Sequence, residues 1–145
     1  MTLVDANLIL YAEDSLSPFH GQARPWWDQL LSGADPVGLC WPVLTAFLRI
    51  ATNPRLHQRP LTPNEATAKV QSWLDQPCVH LLEAGPAHWE IFKSILLEVR
   101  ATGNLVSDAH LAALAIGYGA ELCSTDNDFA RFPGLHWRNP LGPGS

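Results

Sequence analysis

The sequence predicts an α/β fold, a mostly parallel sheet covered by helices on both faces. Three observations carry this reading. Short apolar runs of strand length alternate with segments of helical periodicity along the chain. The 145 residues, 47% hydrophobic and 16% charged, are enough for one core and too apolar for a disordered chain. No internal repeat, low-complexity tract or interdomain linker interrupts them. A single domain over residues 1–141 is therefore expected, with the Gly-Pro-Gly-Ser at 142–145 a frayed tail or an expression scar outside the fold.

The elements follow in order. Thr2-Leu3-Val4, ending at Asp5, fits a buried first strand, and Asn7 leads into a helix over 8–12. A longer helix is expected over 17–31, capped by Ser17-Pro18 and stopped near Gly33, with Pro25 kinking or dividing it. Val37 to Cys40 is a second strand, and the helix over 43–51 presents Val43, Phe47 and Ile50 on one face before Asn53-Pro54 ends it. Thr62-Pro63-Asn64-Glu65 is a capping box with proline at the first helical position; Val70, Trp73 and Leu74 form the apolar face of its helix, which Gln76-Pro77 stops. Residues 79–82 read as a third strand. A helix over 86–100 then turns Trp89, Phe92, Ile95, Leu96 and Val99 inward, with Thr102-Gly103-Asn104 as its exit. Ser107 is the expected cap of an alanine-rich helix from Asp108 to Gly117, followed by a fourth strand at 121–124. Phe132-Pro133-Gly134 turns the chain toward a last strand at His136-Trp137.

Composition narrows the function. Nine basic against fourteen acidic residues, net −5, disfavour a surface that holds nucleic acid by charge alone. A site that recruits two divalent cations would nearly cancel that charge where a phosphate sits. Apolar runs such as 111–116 fall far short of the ~20 residues that span a bilayer, and the N-terminus shows no signal peptide, so a cytoplasmic protein without membrane contact is expected. Cys40, Cys78 and Cys123 are odd in number and lack metal spacing, which predicts buried free thiols. The fingerprints of serine hydrolases, P-loops and dinucleotide sites are all missing.

In a parallel sheet, ligands gather beyond the carboxyl ends of the strands, and the polar residues expected there are mostly aspartates. Asp5 follows the first strand, Asp126 and Asp128 follow the fourth, and Asp108 opens the alanine-rich helix. At an effective dielectric of ~20, two unit charges ~4 Å apart repel by about 4 kcal/mol, so converging carboxylates require protons or cations. An all-oxygen ligand set suits Mg²⁺ or Mn²⁺, and with it phosphodiester chemistry. Plainer readings exist for each residue. Asp108 fits a first-turn acid on the helix dipole, and Asp126 and Asp128 fit an Asx turn. His20, His57, His80, His88 and His136 are scattered, while His110, two residues past Asp108, faces away from it. The six tryptophans suit core packing better than base stacking. Arg49, Arg55, His57 and Arg59, with Arg131 and Arg138, are either solvated surface or a grip on an RNA backbone.

Four stretches carry a family resemblance: Leu3-Val4-Asp5-Ala6-Asn7, Phe47-Leu48-Arg49, Asp108-Ala109-His110-Leu111-Ala112-Ala113-Leu114-Ala115, and Ser124-Thr125-Asp126-Asn127-Asp128-Phe129. In this order they resemble a PIN domain, specifically a VapC-type toxin of a VapBC toxin–antitoxin system, from residue 2 to about 140, with an ending similar to a mycobacterial subgroup. The resemblance implies a three-layer α/β/α sandwich and an endoribonuclease that cleaves structured RNA such as tRNA or rRNA and so inhibits translation. It implies Asp5, Asp108 and Asp126 as catalytic acids binding Mg²⁺ or Mn²⁺, with Asp128 a further acid. Asn7, Thr45 and Thr125 are the supporting polar residues, and Arg49, Arg55 and Arg131 the candidates for RNA contact. The implied partners are RNA, a cognate VapB-type antitoxin and a second copy in a homodimer or toxin–antitoxin hetero-oligomer. Phe19, Trp26, Trp27, Leu30 and Leu31 are candidates to line an antitoxin groove.

One feature departs from the family pattern. Such toxins usually carry a glutamate shortly before the Leu-Arg pair, yet residues 42–49 contain no acid, and Thr45 is the hydroxyl that stands there. Two arrangements follow: one cation held firmly and a second weakly, or a shell completed by Asp128 and substrate phosphate. The alternative function is a catalytically weak or inactive PIN-like module that binds RNA or antitoxin. A phosphatase acting on small esters is a third class using acids at strand ends.

Overall fold

In a computed structural model that describes residues 1–142, strands only three residues long assemble five abreast, all parallel, in the order β3-β2-β1-β4-β5. They are β1 (Thr2–Val4), β2 (Val37–Leu39), β3 (Val79–Leu81), β4 (Glu121–Cys123) and β5 (His136–Arg138). The helices are α1 (Ala6–Glu13), α2 (His20–Ser32), α3 (Trp41–Ala51), α4 (Pro63–Leu74), α5 (His88–Val99) and α6 (Asn104–Tyr118), with a 3₁₀ turn at Asn127–Arg131. Leu3, Val4, Val37, Leu39, Leu122 and Cys123 are fully buried, as a parallel sheet covered on both faces requires.

The chain winds from β1 outward to β2 and β3, then crosses back to β4 and β5 on the other side of β1. Because such crossovers are right-handed, α1 to α4 cover one face and α5 with α6 the other, which makes the three-layer α/β/α sandwich. The reversal falls between β1 and β4, the switch point beside which open α/β sheets bind ligands. On the first face Trp73 packs edge-on against both Trp27 and Phe47, at 5.7 and 4.8 Å between ring centres. On the second, Ala109, Ala112, Ala113 and Ala115 are buried, and their small side chains let α6 lie close to the sheet.

Several expectations are corrected. The second helix starts at His20, because the Ser17 hydroxyl accepts from the Phe19 N–H in a turn instead of capping a helix. Pro25 does not divide it; the acceptor it deprives is the carbonyl of exposed Gly21, while Ala23 and Trp27 anchor the helix in the core. The first helix begins at Ala6, since Asp5 itself is the cap. The sixth helix begins at Asn104 with Gly103 as its cap, at φ 59°, so Ser107 lies inside the helix and Asp108 beyond its first turn. Trp89 points outward at 57% exposure, and Trp41 is 49% exposed, so two of the six tryptophans are not core. The thiols of Cys40, Cys78 and Cys123 are buried and free, and burial pushes Cys40 up to about 11 and Cys123 to about 12. No helix of the described residues is long and apolar enough to cross a membrane. The tail expected from 142 onward lies, apart from Gly142, outside the described residues.

Candidate metal centre

The register that pairs Val4 with Cys123 leaves Asp5 and Ser124 level one step further on, with Cys40 directly after β2 at the same edge of the sheet. The Asp5 N–H donates to the Cys123 carbonyl at 3.0 Å, so β1 is still paired where its acid leaves the sheet. The Asp5 carboxylate is then fixed at both oxygens. Oδ1 accepts from the Ala6 N–H at 2.8 Å as the cap of α1, and Oδ2 accepts from the Ser124 hydroxyl at 2.7 Å. Burial pushes the Asp5 carboxyl above its ordinary value; those two hydrogen bonds oppose the shift and the charge of Asp126 adds to it.

Ser124 is fully buried and central to the rim. Besides donating to Asp5, its Oγ accepts from Asn7 Nδ2 at 3.3 Å and from the Asp126 N–H at 3.0 Å. Its carbonyl accepts from the Trp137 indole at 3.0 Å, which ties the rim to β5. Sequence reasoning placed Ser124 only as the last residue of a strand. The available signal was a hydroxyl directly after an apolar run and two residues before an acid.

Asn7 reaches the same rim, its Oδ1 accepting from the Thr125 N–H at 3.5 Å. Thr125 thus enters through its backbone. Asp126 Oδ1 accepts from the Asp128 N–H at 2.9 Å, an Asx turn that starts the 3₁₀ segment. This local role does not exhaust the two acids. Asp108, Asp126 and Asp128 each bring a carboxylate oxygen within 4.8 Å of the others. Burial first, then the charges of Asp126, Asp5 and Asp128, push the Asp108 carboxyl up to about 6.

The trio brought together therefore includes Asp128, whereas Asp5 stands at its edge with each oxygen already accepting one hydrogen bond. Among the described residues no Lys, Arg or His forms an ion pair with any of the four acids. Four carboxylates, all oxygen donors and without a cationic side chain, fit a hard divalent cation.

Thr45 is not part of this set. It is exposed on α3, and its hydroxyl donates back to the Trp41 and Pro42 carbonyls at 2.8 and 3.2 Å. Arg49, Arg55 and Arg131 are exposed and free of ion pairs among the described residues; Arg131 closes the 3₁₀ segment that carries Asp128. His110 shares a 2.9 Å hydrogen bond with His88 on α5; burial lowers the pKa of both, helped at His88 by the charge of His110.

A parallel sheet in this order with an acidic cluster at its switch point is the arrangement of a PIN domain, and the profile of the PIN domain family matches residues 2–135. The chain belongs to that family. Within it, the chain is 44% identical to Ribonuclease VapC33 of Mycobacterium tuberculosis over 141 residues, covering 97% of this chain and 99% of the relative. It is likewise 44% identical to Ribonuclease VapC37 of the same species over 140 residues, 97% of each. The VapC ribonucleases are thus its family. The fold is shared with VapBC2 of Rickettsia felis, solved on a DNA fragment from their promoter, at TM-score 0.71 and 15% identity over 95% of this chain and 97% of that one. It is also shared with VapC20 of Mycobacterium tuberculosis, described as a sarcin–ricin loop cleaving toxin, at TM-score 0.67 and 18% identity over 94% and 99%.

Proposed function

We propose that this chain is a Mg²⁺- or Mn²⁺-dependent endoribonuclease toxin that cleaves structured RNA, tRNA or rRNA, inhibits translation in the cytoplasm and is neutralised by a cognate VapB-type antitoxin. The carrying observation is the convergence of Asp108, Asp126 and Asp128, with Asp5 at their edge, and no cationic side chain to neutralise them. Family membership adds the ribonuclease class. The description of VapC20 supports an rRNA loop as one substrate, and the VapBC2 structure supports an antitoxin partner and a toxin–antitoxin hetero-oligomer.

In this reading Asp5, Asp108 and Asp126 hold the cation, joined by Asp128. A bound divalent cation supplies positive charge for phosphate oxygens and lowers the pKa of water. The chain's own part is positional. Ser124 and the Ala6 N–H keep Asp5 in one rotamer, Asn7 and Ser124 lock the loop that presents Asp126, and Asp126 in turn orders Asp128. Arg131, Arg49 and Arg55 are the candidates for RNA backbone contact. For the antitoxin groove, exposed Phe19 and half-buried Trp26, Leu30 and Leu31 are available, whereas Trp27 is core.

A second reading, a weak or inactive module binding RNA or antitoxin, is favoured by one observation: α3 presents no acid, and Thr45 spends its hydroxyl on the helix backbone. The purified chain incubated with total cellular RNA, with Mg²⁺, Mn²⁺ or EDTA and beside Asp5→Asn, separates the two. Discrete cation-dependent 5′ ends missing from Asp5→Asn support the enzyme. No cuts from folded protein under any condition support the binding module.

A further inference from the structure

Trp41 opens α3 where β2 ends. Its neighbour Cys40 directly follows β2 as Asp5 directly follows β1, the adjoining parallel strand, so the indole belongs to a residue one step from the rim that carries the acids. Trp41 is 49% exposed, and among the described residues its indole enters no aromatic pair and donates no hydrogen bond. Trp89, the other strongly exposed tryptophan, lies edge-on to Phe92 at 6.1 Å. From Trp41 the exposed face of α3 continues through Thr45 to Arg49, about 12 Å at 1.5 Å per residue. No acid interrupts it, so a strip free of negative charge leads away from four carboxylates and ends on an unpaired guanidinium.

We propose that this face of α3 is the track of a single-stranded segment of the RNA substrate, with Trp41 stacking on an unpaired base beside the acid cluster and Arg49 holding a phosphate further along. The proposal rests on the ribonuclease reading above. A flat apolar ring left half in water is satisfied by another flat ring, and unpaired bases offer one, whereas duplex bases are hidden in the stack. Arg49 matches the charge of the same strand, and the strip's continuity with the acids places base and phosphate on one ligand.

The test uses the full chain and a single-stranded RNA spanning a mapped cut, with KM and kcat measured in Mn²⁺ and tryptophan emission followed on rapid mixing. Trp41→Ala is expected to raise KM by about 5- to 100-fold with kcat changed by less than about 3-fold. Trp41→Phe is expected to keep KM near that of the native chain and lose most of the emission change. Arg49→Gln is expected to raise KM and to flatten its dependence on salt. A native KM in Trp41→Ala, with an undiminished emission change in Trp41→Phe, overturns the stacking role and leaves the ribonuclease reading intact. So does a native KM accompanied by weaker self-association or antitoxin binding, which gives the face to a protein. A native chain that cleaves no RNA overturns the ribonuclease reading and this inference together.

Discussion

The carboxylate of Asp5 and the hydroxyl of Ser124, 119 residues apart in the chain, meet at 2.7 Å. β1 and β4 bring them together, and the same hydroxyl accepts from Asn7 and from the Asp126 backbone, so one buried atom sets the relative positions of two acids. Because the hydroxyl is fully enclosed, its effect is not diluted by water.

Ser124→Ala removes the bond that holds the Asp5 carboxyl down and leaves burial to raise it further. The acid limb of the pH–rate profile for RNA cleavage therefore shifts to higher pH. Loss of a hydrogen bond to a charged group also costs about 1.5–3 kcal/mol, readable by urea denaturation. An unmoved acid limb would show that Asp5 does not depend on Ser124.

Asp108 carries a pH signature of its own. Its folded carboxyl titrates at about 6, above its ordinary value, so its contribution favours the fold at low pH and is lost as pH rises through 6. Without divalent cation, Asp108→Asn should melt above the native chain at pH 7.5, and the gap should close below pH 4. Saturating Mn²⁺ should reverse the order at pH 7.5. Thermal melts at the two pH values, with and without Mn²⁺, measure all three.

A separate ion network ties the first helical layer together. Glu13, its side chain 8% exposed, accepts from Arg24 on α2 and Lys69 on α4, both at 2.8 Å. Glu13→Ala should destabilise the chain by about 1–2 kcal/mol, less than for a fully enclosed pair because both cations are about a third exposed. Cleavage per folded molecule should stay within about 2-fold of native, since no site residue is involved. Denaturation and initial rates on the same sample check both halves.

Cation binding should itself stabilise the fold. At one hundred times the dissociation constant, Mg²⁺ or Mn²⁺ adds about 2.7 kcal/mol. Asp126→Asn should lose most of that gain, because Asp126 both belongs to the trio and accepts the hydrogen bond that orders Asp128. Equal stabilisation of both proteins by Mn²⁺ would place the cation elsewhere.

What the sequence made legible was local. The Thr62 capping box forms as read, with Glu65 and Thr62 each bonded to the other's backbone. Of the four aspartates expected at one rim, Asp108, Asp126 and Asp128 come within 4.8 Å of one another, while Asp5, which directly follows β1, is not among them. What escaped depended on contacts between distant segments or on backbone signs. Ser124 becomes a hub only once β1 and β4 are in register. Ser107 looked like a cap, yet Gly103, able to adopt a positive φ, starts the helix a turn earlier. The exposure of Trp41 and Trp89 follows from which neighbours pack beside them, information that periodicity along one helix does not carry.

In the proposed function, RNA cleavage depends on a cation held by Asp5, Asp108 and Asp126, joined by Asp128. The most direct test is to follow Mn²⁺ binding and the appearance of discrete RNA cuts together, in the native chain and in Asp126→Asn. Cutting is expected to rise over the Mn²⁺ range in which the site fills, and binding and cutting to be lost together in Asp126→Asn. Undiminished, discrete cutting by folded Asp126→Asn in EDTA would contradict it.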